Sequence, residues 1–596
     1  MQPAAASPDP LRWDLSDLYA GDDDPALERD LAAALAAAEA LAAHRGLVVA
    51  MNPEALAGAL AAYESLLDAL YRPGLYAQLR FAADTADAAA QALYAKTREA
   101  SAEIFTRITF LDVEIKAAPD DVFAGWADAP ALAAYRHYLL ASRRHAPHTL
   151  SEAEENIVTL KSLTGASAWA QLYDETLAAV RVPLDVDNKG TRRDLTLDEA
   201  RALRASPDRD LRARATRALH EAHAARSHVL HFVFNTILQD HRIEIDLRKY
   251  DSPIAPTCLA DELSPAVVES LMAATEANYP LAQRYYRLKA RALGLADFAT
   301  HDLLAPLEGG ARRVSYDDGK ALVLDSFRSF SPTFAEIAAR HFDARWIDVM
   351  PRPGKRGGAF CAGAIPSLHP YVLTNYNDRL EDVATLAHEL GHAIHFTLAG
   401  RQRLLNFHPT TPMAETASVF GEIVLARRLL DEERDPAARR ALLALRIEDI
   451  LATVFRQVMY TRWEQRAHAR RAAGVATTDE FGALWREELA RLYGDAVALS
   501  DLDRWGYIGI PHFIHSRFYC YSYAFGQLLV LALYRRYTAE GDAFVPRYIE
   551  LLAGGGSGTP EELLARVGLD VHAPGFWQQG FDTLAALVDE FEQAVP

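Results

Sequence analysis

Cysteine is scarce and scattered. Cys258, Cys361 and Cys520 are the only three in 596 residues, and no two form a C-x-x-C pair. That excludes a disulfide scaffold and a thiolate zinc site, and points to a reducing compartment. Positive charge is also in deficit, with 62 Lys plus Arg against 81 Asp plus Glu and a formal net charge of −19. A phosphate backbone selects a basic face, and an anionic bilayer selects polybasic segments. Neither nucleic acid nor a membrane is therefore expected as a partner. Long apolar runs are missing too. The best candidate, SYAFGQLLVLALYRRY, is interrupted by Gly526 and Gln527 and stops at Arg535. It falls short of the roughly 20 residues that span a bilayer and reads as a buried helix. The first residues carry prolines and acids where a secretory leader would have a basic stretch and then an apolar core. A soluble, cytoplasmic protein is expected.

What the chain does contain is helix-forming sequence. Half the residues are hydrophobic and 24% are charged, which excludes a disordered chain. The length calls for two or more packed lobes, or one large helical body. Apolar residues recur every three or four positions at 26–44, 53–72, 84–118 and 129–144. Ser151 with Glu154 forms a capping box that starts another helix. At 180–197 the pattern alternates around Asn188-Lys189-Gly190, which suits a hairpin. Helical periodicity resumes at 197 and runs to about 246. This divides the chain into an N-terminal helical lobe, 1–200, and a catalytic lobe, 201–596. Residues 350–376 are rich in Gly, Pro and β-formers and predict two short antiparallel strands, 359–363 and 371–375. Helical pattern returns at 379–399, 413–433, 437–473, 478–494 and 519–539. The fold class is predominantly α with one small antiparallel β element.

The sharpest signal is His388-Glu389-Leu390-Gly391-His392. Histidines four apart on a helix differ by about 40° in direction and one turn in height, so both imidazoles can reach one ion. Glu389 lies about 100° around from His388, where a carboxylate can reach a water beside the ion. Asp378 is placed to cap this helix, with Glu381 three residues on, and Gly400 to end it. A catalytic zinc takes three protein ligands and keeps one position open. The metzincin pattern needs Gly at 395 and His at 398, whereas this chain has His395 and Leu398. No Asp or Glu occurs in 393–414, and the first carboxylate after the motif is Glu415. Glu415 is the third-ligand candidate, with His408 the alternative. Glu422, seven residues on and on the same face, either orients a ligand or is a plain helix-face carboxylate. His395 is a packing or orienting residue.

Peptide hydrolysis also needs donors for the developing oxyanion. IPHFIHSRFYCYSYAFG, 510–526, holds His512, His515, Tyr519, Tyr521 and Tyr523. On a continuous helix, His512, Tyr519 and Tyr523 fall within about 20° of one face. An aromatic core stripe is the competing reading. Gly358, Ala359 and Phe360 form a Gly-rich turn entering a strand whose edge could receive a peptide substrate.

Several stretches together resemble the oligoendopeptidase F family, within the thimet oligopeptidase-like zinc metallopeptidases. They are Arg12 to Tyr19 (RWDLSDLY), His148 to Glu152 (HTLSE), Ser206 to Arg212 (SPDRDLR) and Leu247 to Tyr250 (LRKY). Gly354 to Phe360 (GKRGGAF), Asn375-Tyr376, Thr385 to Glu389, Ala414 to Ser418 (AETAS) and Ile510 to Phe513 (IPHF) complete the set. The resemblance implies a mostly helical, two-lobed endopeptidase with one zinc in a deep channel that admits short unfolded peptides. It makes His388, His392 and Glu415 the ligands, with Glu389 as general base activating a zinc-bound water. It also implies His512, with Tyr519 and Tyr523, as oxyanion donors. Tyr521 is the reserve, and Glu422 and His515 are supporting residues. The alternatives are a zinc carboxypeptidase or dipeptidase of related fold, or an inactive peptide-binding protein.

Overall fold

Helices dominate the computed structural model, which describes residues 10–309 and 313–595. The backbone gathers into two compact units, each assembled from three stretches of chain. The first takes the described parts of Met1–Ala146, Ala311–Leu429 and Arg536–Val571. The second takes those of Pro147–Gly310, Leu430–Arg535 and His572–Pro596. The boundary expected near residue 200 thus falls inside the second unit. The reason is packing across it. Val180, Val182 and Leu195 share one apolar cluster with Leu211, Ala215 and Leu219, and Arg248 pairs with Glu155 at 2.7 Å.

The first unit opens with the helices Pro25–Ala42, Pro53–Ala83 and Ala88–Ala117. Each starts on a side-chain cap: Asp24, Asn52 and Asp87 accept from Ala26, Ala55 and Ala89 N–H at 2.9, 2.8 and 2.9 Å. Leu27, Leu31, Ala34, Ala38 and Leu41, at alternating intervals of four and three, form the buried stripe of the first helix.

In the second unit the hairpin is present, with strand β1 (Val182–Asp185) antiparallel to β2 (Arg192–Leu195). Asn188 and Gly190 supply the positive φ values of 56° and 84° that the tight turn requires. The helix expected over 197–246 divides. Leu197–Ala202 is capped by Thr196 with Glu199, and a 40-residue helix, Arg209–Arg248, follows the Ser206-Pro207 break.

The β element of the first unit is a three-stranded sheet in the order β3 (Ile347–Asp348), β5 (Tyr371–Leu373), β4 (Phe360–Ala362). The antiparallel pair β4/β5 was legible in the β-formers set among Gly and Pro, whereas the parallel strand β3 is too short to stand out. All of β5 is buried. β4 is an edge strand, and with β5 it packs on the helix Leu380–Ala399. The Gly-rich turn before β4 is tied down from below. Asp348, 1% exposed at its side chain, binds Lys355 Nζ and Arg352 Nη1, both at 2.6 Å. Lys355 Nζ also donates to Met350 O at 2.9 Å.

Removing that carboxylate strands a buried ammonium group. Asp348→Asn is expected to lower the unfolding free energy by about 3 kcal/mol, seen as a lower denaturant midpoint at unchanged slope. A loss below about 0.5 kcal/mol would reduce the triad to an ordinary surface pair.

Candidate metal centre

His388 and His392 stand one turn apart on the helix Leu380–Ala399. The helix starts one residue later than Asp378 would dictate. Asp382, not Asp378, accepts the free N–H groups of Arg379 and Asn377, at 3.0 and 2.7 Å. Asp378 takes a left-handed backbone (φ 59°) and pairs with Arg313 at 3.0 Å.

Glu415 lies between two helical segments, Thr411–Ala414 and Thr416–Glu432. Its Oε2 is 3.4 Å from His388 Nε2 and 3.5 Å from His392 Nε2, and the two Nε2 atoms are 3.2 Å apart. Ligands at about 2.0–2.1 Å from a tetrahedral ion sit roughly 3.3–3.4 Å from one another. The near-equilateral triangle of His388, His392 and Glu415 therefore fits one such ion, with a fourth position open. Among the described residues these three form the one group of His, Cys, Asp or Glu that could hold a metal.

Each ligand is braced. Glu422 Oε1 lies 2.5 Å from His388 Nδ1, which leaves Nε2 to face the triangle. The Ala414 backbone hydrogen-bonds His392. Ser418 Oγ donates to Glu415 Oε2 at 2.7 Å. Burial opposes charge on His388, but the Glu422 hydrogen bond and the nearby carboxylates outweigh it and lift the imidazole to about 9. Burial holds His392 down to about 4. Glu389, 7% exposed, is pushed up to about 7 by burial, with Glu415 and Glu422 adding to the rise.

The spacing rests on Gly391. A Cβ there would fall 2.6 Å from Ala417 O and closer still to Ser418 Cα. The ligand helix and the helix after Glu415 therefore touch backbone to backbone. Gly391, Ser418 and the Ala414 carbonyl escaped sequence reasoning, although Gly391 sits inside the motif itself. So did the half-buried Cys361 on β4, whose thiol is pushed up by desolvation and then by the Glu389 charge. His395 is 4% exposed and also meets the Ala414 backbone. His408, the rival third ligand, lies outside the triangle, with Nε2 3.2 Å from Ala364 O.

Residues 510–526 do not form one helix. A short turn, His512–His515, is followed by a break and then the helix Cys520–Glu540. Phe518 takes φ 58° in the break, and its N–H donates to the buried Glu464 at 3.0 Å. Three of the five candidates still converge. His512 Nε2 is 3.3 Å from Tyr523 OH, the His512 and Tyr519 rings are nearly parallel at 5.9 Å, and Tyr519 meets Tyr523 edge-on at 5.0 Å. Burial, with His515 nearby, lowers the His512 pKa. Tyr521 points into the core and donates to Asp261 at 2.7 Å. His515 faces Asp174 at 2.9 Å.

Gly358 has φ 79° in the turn before β4, and Asn375 Nδ2 fixes that turn by donating to Gly358 O and Arg356 O at 2.7 and 3.0 Å. Phe360 packs near Trp13 and under the Arg356 guanidinium. Ala359 leads into β4, whose outer side pairs with no strand among the described residues.

Comparison with known proteins gives a consistent neighbourhood. A family model described as Peptidase family M3 matches residues 202–583, and one described as Oligopeptidase F matches 114–181. Oligoendopeptidase F, plasmid, of Lactococcus lactis subsp. cremoris is 26% identical over 596 residues, covering 99% of this chain and 98% of that one. Oligopeptidase PepF of Bacillus subtilis (strain 168) is 25% identical, covering 98% and 87%. In fold, the chain is similar to a putative peptidase from Chlamydophila abortus, with TM-score 0.90, 24% identity and coverage of 98% and 99%. It is also similar to oligoendopeptidase-F from Enterococcus faecium, with TM-score 0.69, 21% identity and coverage of 95% and 98%.

Because a methyl at Gly391 must push the two helices apart, Gly391→Ala is expected to reduce bound metal at least ten-fold with helical content preserved. Elemental analysis and circular dichroism of the purified variant check this. Full metal occupancy would show that the helix contact does not set the ligand spacing.

Proposed function

The chain belongs to peptidase family M3, and from that premise we propose that it is a zinc-dependent endopeptidase cleaving internal bonds of short oligopeptides. The observation that carries the reading is the triangle of His388, His392 and Glu415, with ligand atoms 3.2, 3.4 and 3.5 Å apart, beside the buried Glu389. Two imidazoles and one carboxylate suit one zinc ion per chain. When bound, zinc polarises the scissile carbonyl and makes water a stronger acid.

The chain's own groups do the remaining work. Glu389 takes the proton from the attacking water and passes it to the leaving amine. Glu422 fixes the ring of His388, and Ser418 fixes the carboxylate of Glu415. The unpaired edge of β4, entered through Gly358, Ala359 and Phe360, receives the peptide backbone as an added strand. His512 and Tyr523, with Tyr519 stacked on the imidazole, supply oxyanion donors. The working setting is the cytoplasm, a reading supported by three free cysteines, Cys258, Cys361 and Cys520. No helix among the described residues is long and apolar enough to cross a membrane.

A peptide blocked at both ends separates the possible reactions. Internal cleavage, abolished in Glu389→Gln with zinc content unchanged, is the expected result. Cleavage only of free-ended peptides would indicate an exopeptidase, and no cleavage by the zinc-loaded protein would indicate a binding protein. For the oxyanion donors, His512→Ala is expected to lower kcat about 100-fold or more with KM and zinc nearly unchanged. A variant that loses only KM would remove His512 from the chemistry.

A further inference from the structure

The second unit contains a cavity to which the peptidase reading gives no task. Its volume is about 170 Å³. That is below the ~300 Å³ at which drug-sized ligands begin to fit and many times what one water needs. Its walls come from stretches far apart in sequence, including the helices Arg209–Arg248, Arg456–Ala472 and Thr478–Tyr493 and the turn Asp501–Gly509.

The charged lining is mainly cationic. Arg201, Arg204 and Arg456 bring three guanidinium groups, which donate and never accept. Arg201 already pairs with Asp198 at 2.9 Å. The Nε atoms of Arg204 and Arg456 are buried without a hydrogen-bond partner, and so is the hydroxyl of Thr216, a residue 6% exposed. Asp503 is the single carboxylate in the wall. It is already engaged: Oδ2 accepts from Ser500 N and Oγ at 2.5 and 2.9 Å, and Oδ1 lies 3.6 Å from His220 Nδ1. Burial pushes His220 down to about 4 and His223 down to about 3, so both are neutral at pH 7. The positive charge is that of the arginines: Asp198 pairs with Arg201, Asp449 acts on Arg456 while also pairing with Arg446, and Asp503, the carboxylate that acts on Arg204, is already engaged.

Buried donors left unpaired are costly, and buried cations more so. Water filling the cavity would satisfy the donors but would not offset the charge. A peptide is too large for the volume. A small anion accepts hydrogen bonds from several directions and carries the missing charge. We propose that this cavity binds a small inorganic anion, of halide or phosphate size, between Arg204 and Arg456, with Thr216 donating its hydroxyl. The site belongs to the second unit, whereas the metal ligands belong to the first. The inference therefore does not rest on the peptidase chemistry.

The test uses the full-length, metal-loaded protein titrated with chloride, bromide or phosphate at constant ionic strength, with a bulky sulfonate as the replacement anion. The unfolding midpoint is expected to rise and saturate with at least one of the three, and calorimetry should give the same affinity. Thr216→Val should weaken that affinity about five-fold, and the double variant Arg204→Met with Arg456→Met should abolish it. Comparing the halide and phosphate arms identifies the class of anion. Crystals of the unaltered protein grown in bromide should show an anomalous peak in the cavity, a result independent of how the variants fold. No saturable response to any anion and no bromide peak would overturn the proposal. So would an unchanged response in the folded variants.

Discussion

At Gly391 two helices meet with no room for a methyl group, and the spacing of three ligand atoms follows from that contact. The i, i+4 geometry of one helix brings His388 and His392 together by itself, since 3.2 Å separates their Nε2 atoms along a single turn. Glu415 is different. It arrives from a separate element, and its distance to both imidazoles depends on how closely that element can approach. Ala417 O and Ser418 Cα press against the Gly391 backbone, so Glu415, two residues before Ala417, is held at the triangle's third corner. Ser418 serves twice, packing against the glycine and donating to the Glu415 carboxylate. A β-carbon at residue 391 would disturb both roles at once.

The electrostatics of the two units run in opposite senses. Around the triangle, Glu389, Glu415 and Glu422 face two imidazoles in a largely buried setting. Burial opposes charge on His388 yet the carboxylates lift it, and burial, with Glu415 and Glu422, raises Glu389, the response of a cluster laid out for a cation. In the second unit, Arg204 and Arg456 line a cavity with one engaged carboxylate. Two buried carboxylates elsewhere are matched: Asp348 meets Lys355 and Arg352, and Asp302 meets Arg209 and Arg212. Against that habit of pairing, an unmatched cluster of either sign marks a place for a ligand.

Sequence alone was most informative where a function is carried by local spacing. The H-E-x-x-H pair and the capping box at Ser151 lie within a few residues of their partners, and β4 and β5 are near neighbours in the chain. It was least informative where the partner is distant in the chain. Asp378 has the right residue type and position to cap the ligand helix, yet its backbone is drawn into the left-handed region and Asp382 caps instead. The break within 510–526 is held by Glu464, 54 residues earlier, which binds the Phe518 N–H. The cavity arginines carry no motif, since 201, 204 and 456 come together only through the packing of long helices. Packing across residue 200 is equally distant from any motif, with an apolar cluster that reaches from Val180 to Leu219.

The tyrosines after that break show how one local turn sorts equivalent residues. From Cys520 onward the chain is helical, so residues 519 and 523 fall on one face and 521 is rotated by about 200° to the other. Tyr521 is consequently buried against Asp261, where its hydroxyl is spent on structure. Tyr519 and Tyr523 remain with His512, although the three do not share one continuous helix. The turn at Phe518 compensates for the lost helical register by folding His512 back over the first turn of the next helix. Ring contacts of 5.9 and 5.8 Å from His512 to the two tyrosines result. The three residues are thus grouped by a turn and not by one helix face. The buried carboxylate of Glu464, by holding the Phe518 N–H, makes that grouping possible.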